Sequence, residues 1–283
     1  MKVISKIDDL KHSIKSIKDK EEQVALIPTM GMIHDGHLSL IKEAQKYTDN
    51  IVVTIFVNKQ QFNNDWDFKS YPRNLELDIK KLKELEVKYV FCPDNIDIYK
   101  KQPLINIEFE NLTNCLCAKN RPGHFSGVCL IVAKLFNLIQ PNYAFFGEKD
   151  YQQLLIIKNL VQDLSFNLEV ISVPTYRCND GLAMSSRNIL LDKNVRKIAP
   201  KAYEILTVMK DVIHTLKDKQ DLSHIIEESR VAMLNSSFDK IDYLEIRDQD
   251  NLKMVKKYEK NLQLRIFFAG YLNTVRIIDN ILI

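Results

Sequence analysis

Glycine is scarce in this sequence of 283 residues. The chain contains 7 glycines, whereas an average composition of about 7% would give about 20. All but Gly270 fall in four short polar stretches, which contain Gly31 and Gly36, Gly123 and Gly127, Gly147, and Gly181. A chain this sparing with glycine keeps it where the backbone must take a positive φ or approach a ligand closely. These four stretches are therefore the first candidates for a functional site.

Features that mark several other protein classes are also absent. No apolar run approaches the roughly 20 residues that a membrane helix needs, and residues 1–20 carry Lys or Asp every few positions instead of the apolar core of a secretory signal. The 40 basic and 37 acidic residues leave a net charge of +3, which argues against a nucleic-acid partner. The 5 cysteines lack C-x-x-C spacing. We therefore expect reduced thiols in a cytoplasmic protein that does not associate with membranes.

Apolar and amphipathic segments alternate through the first 174 residues. Runs with the composition of buried strands occupy positions 24–27, 51–57, 89–91, 143–146 and 168–173. Helical patterns occupy positions 8–19, 74–86, 127–139 and 151–164, and a further helix follows the glycine turn at Gly31. Strands and helices at this spacing imply parallel crossovers. The sequence therefore predicts an α/β fold with a doubly wound parallel sheet.

The pattern changes near Pro174. Residues 192–219 and 222–234 are helical segments rich in Lys and Glu, whereas residues 243–246, 262–269 and 275–278 alternate like antiparallel strands. Such a mixture predicts a smaller α+β domain at the carboxyl end of the chain. We therefore divide the chain into one domain of residues 1–174 and a second of residues 175–283.

The first glycine stretch covers residues 28–40, with the sequence PTMGMIHDGHLSL. Its pattern is that of a strand, a tight turn and a helix, with His34 and His37 three residues apart at the helix entrance. Backbone N–H groups at a helix N-terminus lack intrahelical partners and bind anions, so this stretch predicts a phosphate site. Two histidines at this spacing can also cap a helix or lie partly buried without any function. Neither a P-loop nor a dinucleotide fingerprint is present.

Polar side chains accompany other expected strand and helix ends. Residues 57–62 (VNKQQF) offer carboxamides that suit a small polar substrate. Residues 119–127 (KNRPGHFSG) place Arg121 and His124 at a helix start, where structural hydrogen bonding and ligand contact are equally consistent with the pattern. In residues 145–153 (FFGEKDYQQ), Lys149 can meet phosphate and Asp150 can accept hydrogen bonds from ribose hydroxyls.

The last glycine stretch covers residues 177–188, with the sequence RCNDGLAMSSRN. Ser185, Ser186 and Arg187 supply two hydroxyls and a guanidinium, which are donors suited to triphosphate oxygens. A lone Ser-Ser-Arg is common in loops, and a lone Gly-Glu-Lys-Asp fits an ordinary solvated helix start. The functional interpretation therefore depends on the order and spacing of all these stretches.

In that order and spacing, the chain resembles the pantothenate synthetase (pantoate–β-alanine ligase) family of the H-x-G-H nucleotidyltransferase superfamily. The resemblance is carried by PTMGMIHDGHLSLIKEA, IFVNKQQF, YPRNLELD, NRPGHFSGV, KLFNLIQPNYAFFGEKDYQQL and PT-R-DGLAMSSRN. It covers nearly all of residues 24–192, with weaker echoes in residues 242–245 and 275–280. It implies a Rossmann-like domain with a doubly wound parallel sheet, a C-terminal α+β lid domain and a homodimer.

The resemblance also implies a site. Gln61 would contact both pantoate and β-alanine, and Gln153 would contact pantoate. His37 would be the proton donor, and His34, Lys149 and Arg187 would be further catalytic residues. Mg²⁺ would accompany ATP. The implied ATP contacts are Met30, Gly31, Met32, Ile33, His34, Asp35, Gly36, His37, Gly147, Glu148, Lys149, Asp150, Tyr176 (through its backbone, to adenine), Met184, Ser185, Ser186 and Arg187.

The implied reaction is ATP-dependent condensation of pantoate with β-alanine to pantothenate, through pantoyl adenylate, with release of AMP and pyrophosphate. Two alternatives stay open: another H-x-G-H nucleotidyltransferase without the ligation step, and a non-catalytic nucleotide- or RNA-binding module. Four positions depart from the family's usual pattern. They are Lys59 in place of Pro, Cys117 where Glu is common, Cys178 where Glu or Ala is usual, and Lys100 where Pro follows Tyr99. Of these, Lys59 is expected to loosen the loop that presents Gln61.

Overall fold

The structure is a computed structural model that describes residues 1–63 and 65–283. Its strands are β1 (Lys2–Ile4), β2 (Ala25–Thr29), β3 (Ile51–Ile55), β4 (Tyr89–Phe91), β5 (Tyr143–Gly147), β6 (Glu169–Val173), β7 (Lys240–Asp248), β8 (Leu264–Leu272) and β9 (Val275–Leu282). Its helices are α1 (Ile7–Lys18), α2 (Asp35–Ala44), α3 (Asp65–Ser70), α4 (Leu75–Glu84), α5 (Asn95–Ile98), α6 (Leu116–Asn120), α7 (His124–Ile139), α8 (Tyr151–Asp163), α9 (Lys193–Ile198), α10 (Lys201–His214) and α11 (Ser223–Asn235). Short 3-10 helices cover Lys59–Gln61, Glu148–Asp150 and Ser186–Leu190.

The chain divides into two compact units. The first comprises residues 1–109, 121–148 and 153–174, and the second comprises residues 110–120, 149–152 and 175–283. The division between residues 174 and 175 coincides with the boundary drawn from the sequence. Residues 110–120 and 149–152, which the sequence analysis assigns to the first domain, pack with the second unit instead.

The first unit contains a six-stranded parallel sheet with the strand order β1-β4-β3-β2-β5-β6. From β2 the chain proceeds outward to β3 and β4 on one side, and the later strands β5 and β6 lie on the other. The carboxyl ends of β2 and β5 therefore meet at a topological switch point, where open α/β sheets bind ligands. The predicted doubly wound parallel sheet is confirmed.

Both faces of this sheet are buried. Successive residues of a strand point to opposite faces, and neighbouring Leu26 and Ile27 of β2 are both 0% exposed. On one face, Ile41 of α2 and Leu82 of α4 pack in one hydrophobic cluster with Ile27. Burial on both faces explains why the strands appear in the sequence as continuous apolar runs rather than as alternating patterns.

Several boundaries differ from the sequence predictions. β2 continues through Pro28 to Thr29, two residues beyond its predicted end, and β3 ends at Ile55. Proline is tolerated in this central strand because β5 pairs only with Ala25 and Leu26, so Pro28 lies beyond that ladder. The three-residue strand β1 was not predicted, since a segment so short carries too little periodicity to identify.

The second unit contains the antiparallel sheet β7-β8-β9. Leu206 of α10, Met233 of α11 and Phe268 of β8 share one hydrophobic core, so these two helices cover one face of the sheet. The predicted helical segment 192–219 contains two helices, α9 and α10, because Pro200 between them cannot donate a helical hydrogen bond. The predicted α+β composition is confirmed.

Two further properties bear on the sequence expectations. No helix among the described residues is long and apolar enough to cross a membrane. All 5 cysteines are free. Burial raises the pKa of Cys129 to about 12, so this thiol stays protonated and unreactive near neutral pH.

Candidate active site

The first site segment turns sharply at the carboxyl end of β2. Gly31 has a φ of +84° and Met32 a φ of 53°, both in the left-handed region. The chain then enters α2, with His34 as its N-cap and His37 in its first turn. The two imidazole rings stack, with centroids 4.0 Å apart and planes inclined by 24°. The structure thus places both predicted histidines side by side at a helix N-terminus.

One hydrogen bond determines which nitrogen of His37 carries the proton. The backbone N–H of His34 donates to Nδ1 of His37 over 3.3 Å. Because a neutral imidazole has one donor and one acceptor nitrogen, Nε2 of His37 must carry the hydrogen. The ring is therefore arranged as an N–H donor at Nε2.

Gln61 lies in the 3-10 helix that follows β3 and is buried. Its Oε1 accepts a hydrogen bond from Asn58 Nδ2 at 3.0 Å, and its Nε2 lies 3.3 Å from the sulfur of Met30. Asn58 is 1% exposed, and its Oδ1 accepts a hydrogen bond from the hydroxyl of Tyr99 at 3.0 Å. These contacts fix the orientation of the Gln61 carboxamide. The polar pattern of residues 57–62 marks this segment in the sequence, but it predicts no separate role for Asn58 or Tyr99.

Arg121 and His124 support the same loop. His124 Nδ1 lies 2.7 Å from the carbonyl oxygen of Gln61, and its Nε2 lies 3.0 Å from Arg121 Nη1. Since a guanidinium only donates, Nε2 accepts and Nδ1–H donates to the Gln61 carbonyl. A Cβ atom at Gly127 would overlap the carbonyl group of Gln60, so only glycine lets α7 pack this closely. Of the two interpretations left open by the sequence, these contacts support structural hydrogen bonding.

Gly147 and Glu148 follow at the end of β5, beside β2 in the sheet. A Cβ atom at Gly147 would meet nothing within 4 Å, so packing alone does not require glycine there. Gln153 lies in the first turn of α8 and, like Gly147 and Glu148, belongs to the first unit. An open glycine at a switch-point strand end is compatible with close approach of a ligand.

Lys149 and Asp150 belong to the second unit, where their side chains lie 3.7 Å apart (Nζ to Oδ2). Asn280 of β9 donates from Nδ2 to the carbonyl oxygen of Lys149 at 2.9 Å. Gln152 lies next to the predicted substrate residue Gln153 and is buried. Its Oε1 accepts a hydrogen bond from the backbone N–H of Cys117 at 3.0 Å. Of these two glutamines, Gln152 therefore has a structural role.

Residues 176–184 form a tight hairpin in the second unit. The N–H of Met184 donates to the carbonyl oxygen of Tyr176 at 3.0 Å. Arg177 donates from both Nη atoms to Asp279 of β9, over 2.7 and 2.8 Å, and the Asp279 side chain is 2% exposed. At the tip, a Cβ atom on Gly181 would lie 2.6 Å from the ring of Tyr203. The hairpin is thus tied firmly to β9.

The Ser-Ser-Arg strip follows this hairpin directly. Ser185 is the N-cap of the 3-10 helix Ser186–Leu190, and its Oγ accepts the N–H of Arg187 at 3.3 Å. Ser186 is buried. The two hydroxyls and the guanidinium therefore belong to one short turn.

Adjacent residues of β9 organise the predicted ATP contacts of the second unit. Asp279 holds the hairpin through Arg177, and Asn280 holds the backbone of Lys149. No motif in the sequence predicts a role for either residue, although the weak resemblance at residues 275–280 was a signal for them.

Two departures from the family pattern have clear surroundings. Lys59 stays within the 3-10 helix and pairs with exposed Asp65 at 3.3 Å. The sulfur of Cys117 lies 3.0 Å from the hydroxyl of Tyr243 and 3.5 Å from Arg276 Nη1, in the second unit. At this position, the thiol joins a buried polar cluster of the second unit.

Comparisons with known proteins agree with this geometry. A family model described as pantoate-beta-alanine ligase matches residues 2–282. The pantothenate synthetase of Fervidobacterium nodosum is 40% identical over 283 residues, covering 100% of this chain and 99% of the relative. That of Acinetobacter baumannii is 42% identical over 282 residues, covering 99% and 98%.

Solved structures show the same likeness. A pantothenate synthetase from Thermus thermophilus superposes with a TM-score of 0.91 at 36% identity, covering 99% of each chain. The pantoate-beta-alanine ligase of Francisella tularensis, solved in complex with beta-gamma ATP and beta-alanine, has a TM-score of 0.82 at 38% identity and covers 100% of this chain and 97% of its own. This chain therefore belongs to the pantoate–β-alanine ligase family.

Proposed function

We propose that this enzyme condenses pantoate with β-alanine in an ATP-dependent reaction that yields pantothenate, AMP and pyrophosphate. The observation that carries the proposal is the pair of stacked histidines at the start of α2, with an N–H donor fixed at Nε2 of His37. Family membership supports it, and the related Francisella protein was solved with an ATP compound and β-alanine. The alternative of a nucleotidyltransferase without ligation lacks such support.

In the first step, a carboxylate oxygen of pantoate attacks the α-phosphorus of ATP. The bond from the α-phosphorus to the oxygen that bridges to the β-phosphorus breaks in line with this attack. Pyrophosphate departs with that bridging oxygen, and pantoyl adenylate remains. Because negative charge grows on the leaving group, N–H donors and cations near it lower the barrier.

In the second step, the amine of β-alanine attacks the carbonyl carbon of pantoyl adenylate. The bond from this carbon to the bridging oxygen breaks, so AMP leaves with an oxygen that came from pantoate. The amine nitrogen loses a proton, and the amide of pantothenate forms. No covalent bond to the enzyme is needed, so catalysis consists of positioning and charge neutralisation.

The proposed roles of the protein follow from donor chemistry. Nε2–H of His37 would donate to the departing pyrophosphate, beside His34. Lys149 and Arg187 would add positive charge to the phosphates. The proposed ATP contacts are the segments 30–37, 147–150 and 184–187, together with the backbone of Tyr176.

Gln61 is proposed to hold both pantoate and β-alanine, and Gln153 is proposed to hold pantoate. A carboxamide can donate to a carboxylate or hydroxyl and accept from an amine, so Gln61 suits both pantoate and β-alanine. Its buried position beside Asn58 supports this role, because a fixed amide presents the same donor and acceptor at every turnover.

Mg²⁺ enters the proposal as part of the nucleotide substrate. Phosphate oxygens are ligands that Mg²⁺ commonly uses in nucleotide sites, and the ion would offset phosphate charge. Among the residues that the structure describes, no group of three or more His, Cys, Asp or Glu side chains is placed to hold a metal ion.

We further propose a homodimer in the cytoplasm. The family resemblance supports the dimer, and free thiols are typical of a reducing compartment. Light scattering on the purified protein would measure twice the 33.0 kDa of one chain if the dimer is correct.

The function is tested by product analysis. AMP and pantothenate should form only when ATP, pantoate and β-alanine are all present. Without β-alanine, pyrophosphate exchange into ATP should still require pantoate. A stable nucleotidyl product whose yield does not depend on β-alanine would favour the nucleotidyltransferase alternative. Binding of ATP without any pantoate-dependent turnover would favour a binding module.

A further inference from the structure

The turn before the two histidines is held by a carboxylate on another element. Asp78 of α4 accepts the backbone N–H of Met32 on Oδ2 at 2.8 Å and that of Ile33 on Oδ1 at 2.6 Å. Asp78 is 1% exposed and Ile33 is 1% exposed. Each carboxylate oxygen of Asp78 therefore accepts a hydrogen bond from one backbone N–H of the turn. Gly31 and Met32 have left-handed backbone angles, so the turn cannot form the regular hydrogen bonds of a helix or strand.

A second side chain of α4 binds the same turn. Lys81 donates from Nζ to the carbonyl oxygen of Ile33 at 2.5 Å. Residues three apart on a helix lie on one face, so Asp78 and Lys81 approach Ile33 together. One helix face thus holds the N–H of Ile33 with an anion and its C=O with a cation.

The peptide held by Lys81 is the one that orients His37. The carbonyl of Ile33 and the N–H of His34 belong to the same peptide unit, and this N–H donates to Nδ1 of His37. A cation on the carbonyl oxygen polarises the peptide and strengthens donation from its N–H. Lys81 is therefore linked through one peptide group to the nitrogen that sets the His37 tautomer.

The groups around Asp78 shift its pKa in opposite directions, with a net rise, and its contacts are packed closely. Burial raises the pKa of Asp78, and the backbone hydrogen bonds from Ile33 and Met32 and the charge of Lys81 oppose that rise. Burial and the Asp78 charge raise the pKa of neighbouring Cys92 to about 12, so this thiol stays neutral beside the carboxylate. A Cβ atom at residue 31 would lie 2.9 Å from Asp78 Oδ2, so glycine leaves room for the contact.

We propose that Asp78 and Lys81 are positioning residues for adenylate formation, which act by clamping the Gly31–Ile33 turn and thereby fixing the Nε2–H tautomer of His37. This inference rests on the proposed function. Neither residue needs to touch a substrate, because the effect is transmitted through the peptide between Ile33 and His34.

The test compares Asp78→Asn and Lys81→Met with Glu76→Gln and Lys80→Met, two exposed positions on the same helix. In pantoate-dependent pyrophosphate exchange, kcat should fall by about tenfold or more for Asp78→Asn and several-fold for Lys81→Met. The KM for pantoate should stay within about twofold of the parent, because Gln61 lies on a different element. Both controls should match the parent.

Two readouts separate positioning from a loss of folding. Nitrogen-15 spectra of the histidine side chains should show His37 as the Nε2–H form in the parent and as a mixture of tautomers in Lys81→Met. Hydrogen exchange of the Met32 and Ile33 amides should be at least about tenfold faster in Asp78→Asn. If Asp78→Asn does not fold, Lys81→Met alone decides, since it leaves the hydrogen bonds from Met32 and Ile33 to Asp78 in place.

Activity lost only in proportion to the unfolded fraction, with an unchanged His37 spectrum, overturns the proposal. So does parent-like kcat in both variants. If the parent enzyme shows no pantoate-dependent exchange, the proposed function fails. The histidine spectrum and amide exchange then still decide whether the clamp exists.

Discussion

The imidazole rings of His34 and His37 stack with centroids 4.0 Å apart, and the backbone N–H of His34 occupies Nδ1 of His37. The backbone of His34 therefore determines which nitrogen of His37 is the donor. The ring of His34 stacks on the ring of His37. We propose that their side chains and the α2 N-terminus together form one phosphate-binding unit.

Replacing His37 should impair the first chemical step. His37→Ala removes the N–H donor, so the rate of pantoate-dependent pyrophosphate exchange should fall by well over about tenfold. His37→Gln keeps an N–H near the position of Nε2 and should lose less. His12→Ala is the control, because His12 is exposed on α1 and bonds the carbonyl of Asp8. A parent-like exchange rate in His37→Ala would remove the proton-donor role.

Asn58 should control how Gln61 presents its carboxamide. In Asn58→Asp, an oxygen replaces the Nδ2 that donates to Gln61 Oε1 and to the carbonyl of Gly127. Gln61 should then flip its amide to avoid the repulsion, and the KM for pantoate should rise by about tenfold with little change in kcat.

Tyr99→Phe is the matched comparison for Asn58→Asp. It removes only the hydroxyl that donates to Asn58 Oδ1, while the N–H of Gln60 still bonds this oxygen. The KM for pantoate should change by about threefold at most. Equal KM values for Asn58→Asp and the parent in steady-state assays would show that the orientation of Gln61 is set elsewhere.

Asp242 should stabilise the second unit in a pH-dependent way. Its carboxylate lies 2.8 Å from Arg276 Nε and 3.1 Å from Lys240 Nζ. Burial acts to raise the pKa of Asp242, but the hydrogen bonds and charges of Arg276 and Lys240 outweigh it, so the pKa is lowered. A carboxyl group with a lowered folded-state pKa contributes stability above its unfolded pKa of about 3.9 and loses it as the pH falls through the folded value.

Urea unfolding of Asp242→Asn measures this contribution. At pH 7 the free energy of unfolding should be about 3 kcal/mol lower than in the parent, because the largely buried guanidinium of Arg276 loses the anion that it pairs with. The difference should shrink as the pH falls from the unfolded-state pKa of about 3.9 towards the lower folded-state pKa of Asp242, because the unfolded parent takes up the proton first. Asp250→Asn, in an exposed turn, should show no such difference. If the difference in free energy of unfolding stays constant as the pH falls to the folded-state pKa of Asp242 and below, the effect comes from packing instead.

The sheet could be predicted because its strands are buried on both faces. A run such as residues 51–57 has no polar alternation, so its composition alone indicates a parallel strand. The stretch around the two histidines could also be predicted, because a strand end, a glycine and a helix start are local in sequence. In both cases the signal lies within about ten residues of the chain.

The supporting contacts could not be predicted in the same way. The apolar positions of the helical pattern at residues 74–86 include Leu75, yet Leu75 is 44% exposed, and Asp78 and Leu82 are the buried residues of α4. A charged residue inside an apolar stripe was the available signal, but its partners at Met32 and Ile33 are 46 and 45 residues away. Asp279 poses the same difficulty, since its partner Arg177 is 102 residues away. Local patterns do not specify which distant groups a buried charge will meet.

The central claim is that pantoate is activated as an adenylate before the amide forms. The most direct measurement follows oxygen-18 from the pantoate carboxylate through a full turnover with ATP and β-alanine. Because AMP leaves with the oxygen that joined it to the pantoyl group, one labelled oxygen should appear in the phosphate of AMP and none in pyrophosphate. AMP without label, formed together with pantothenate, would contradict the account.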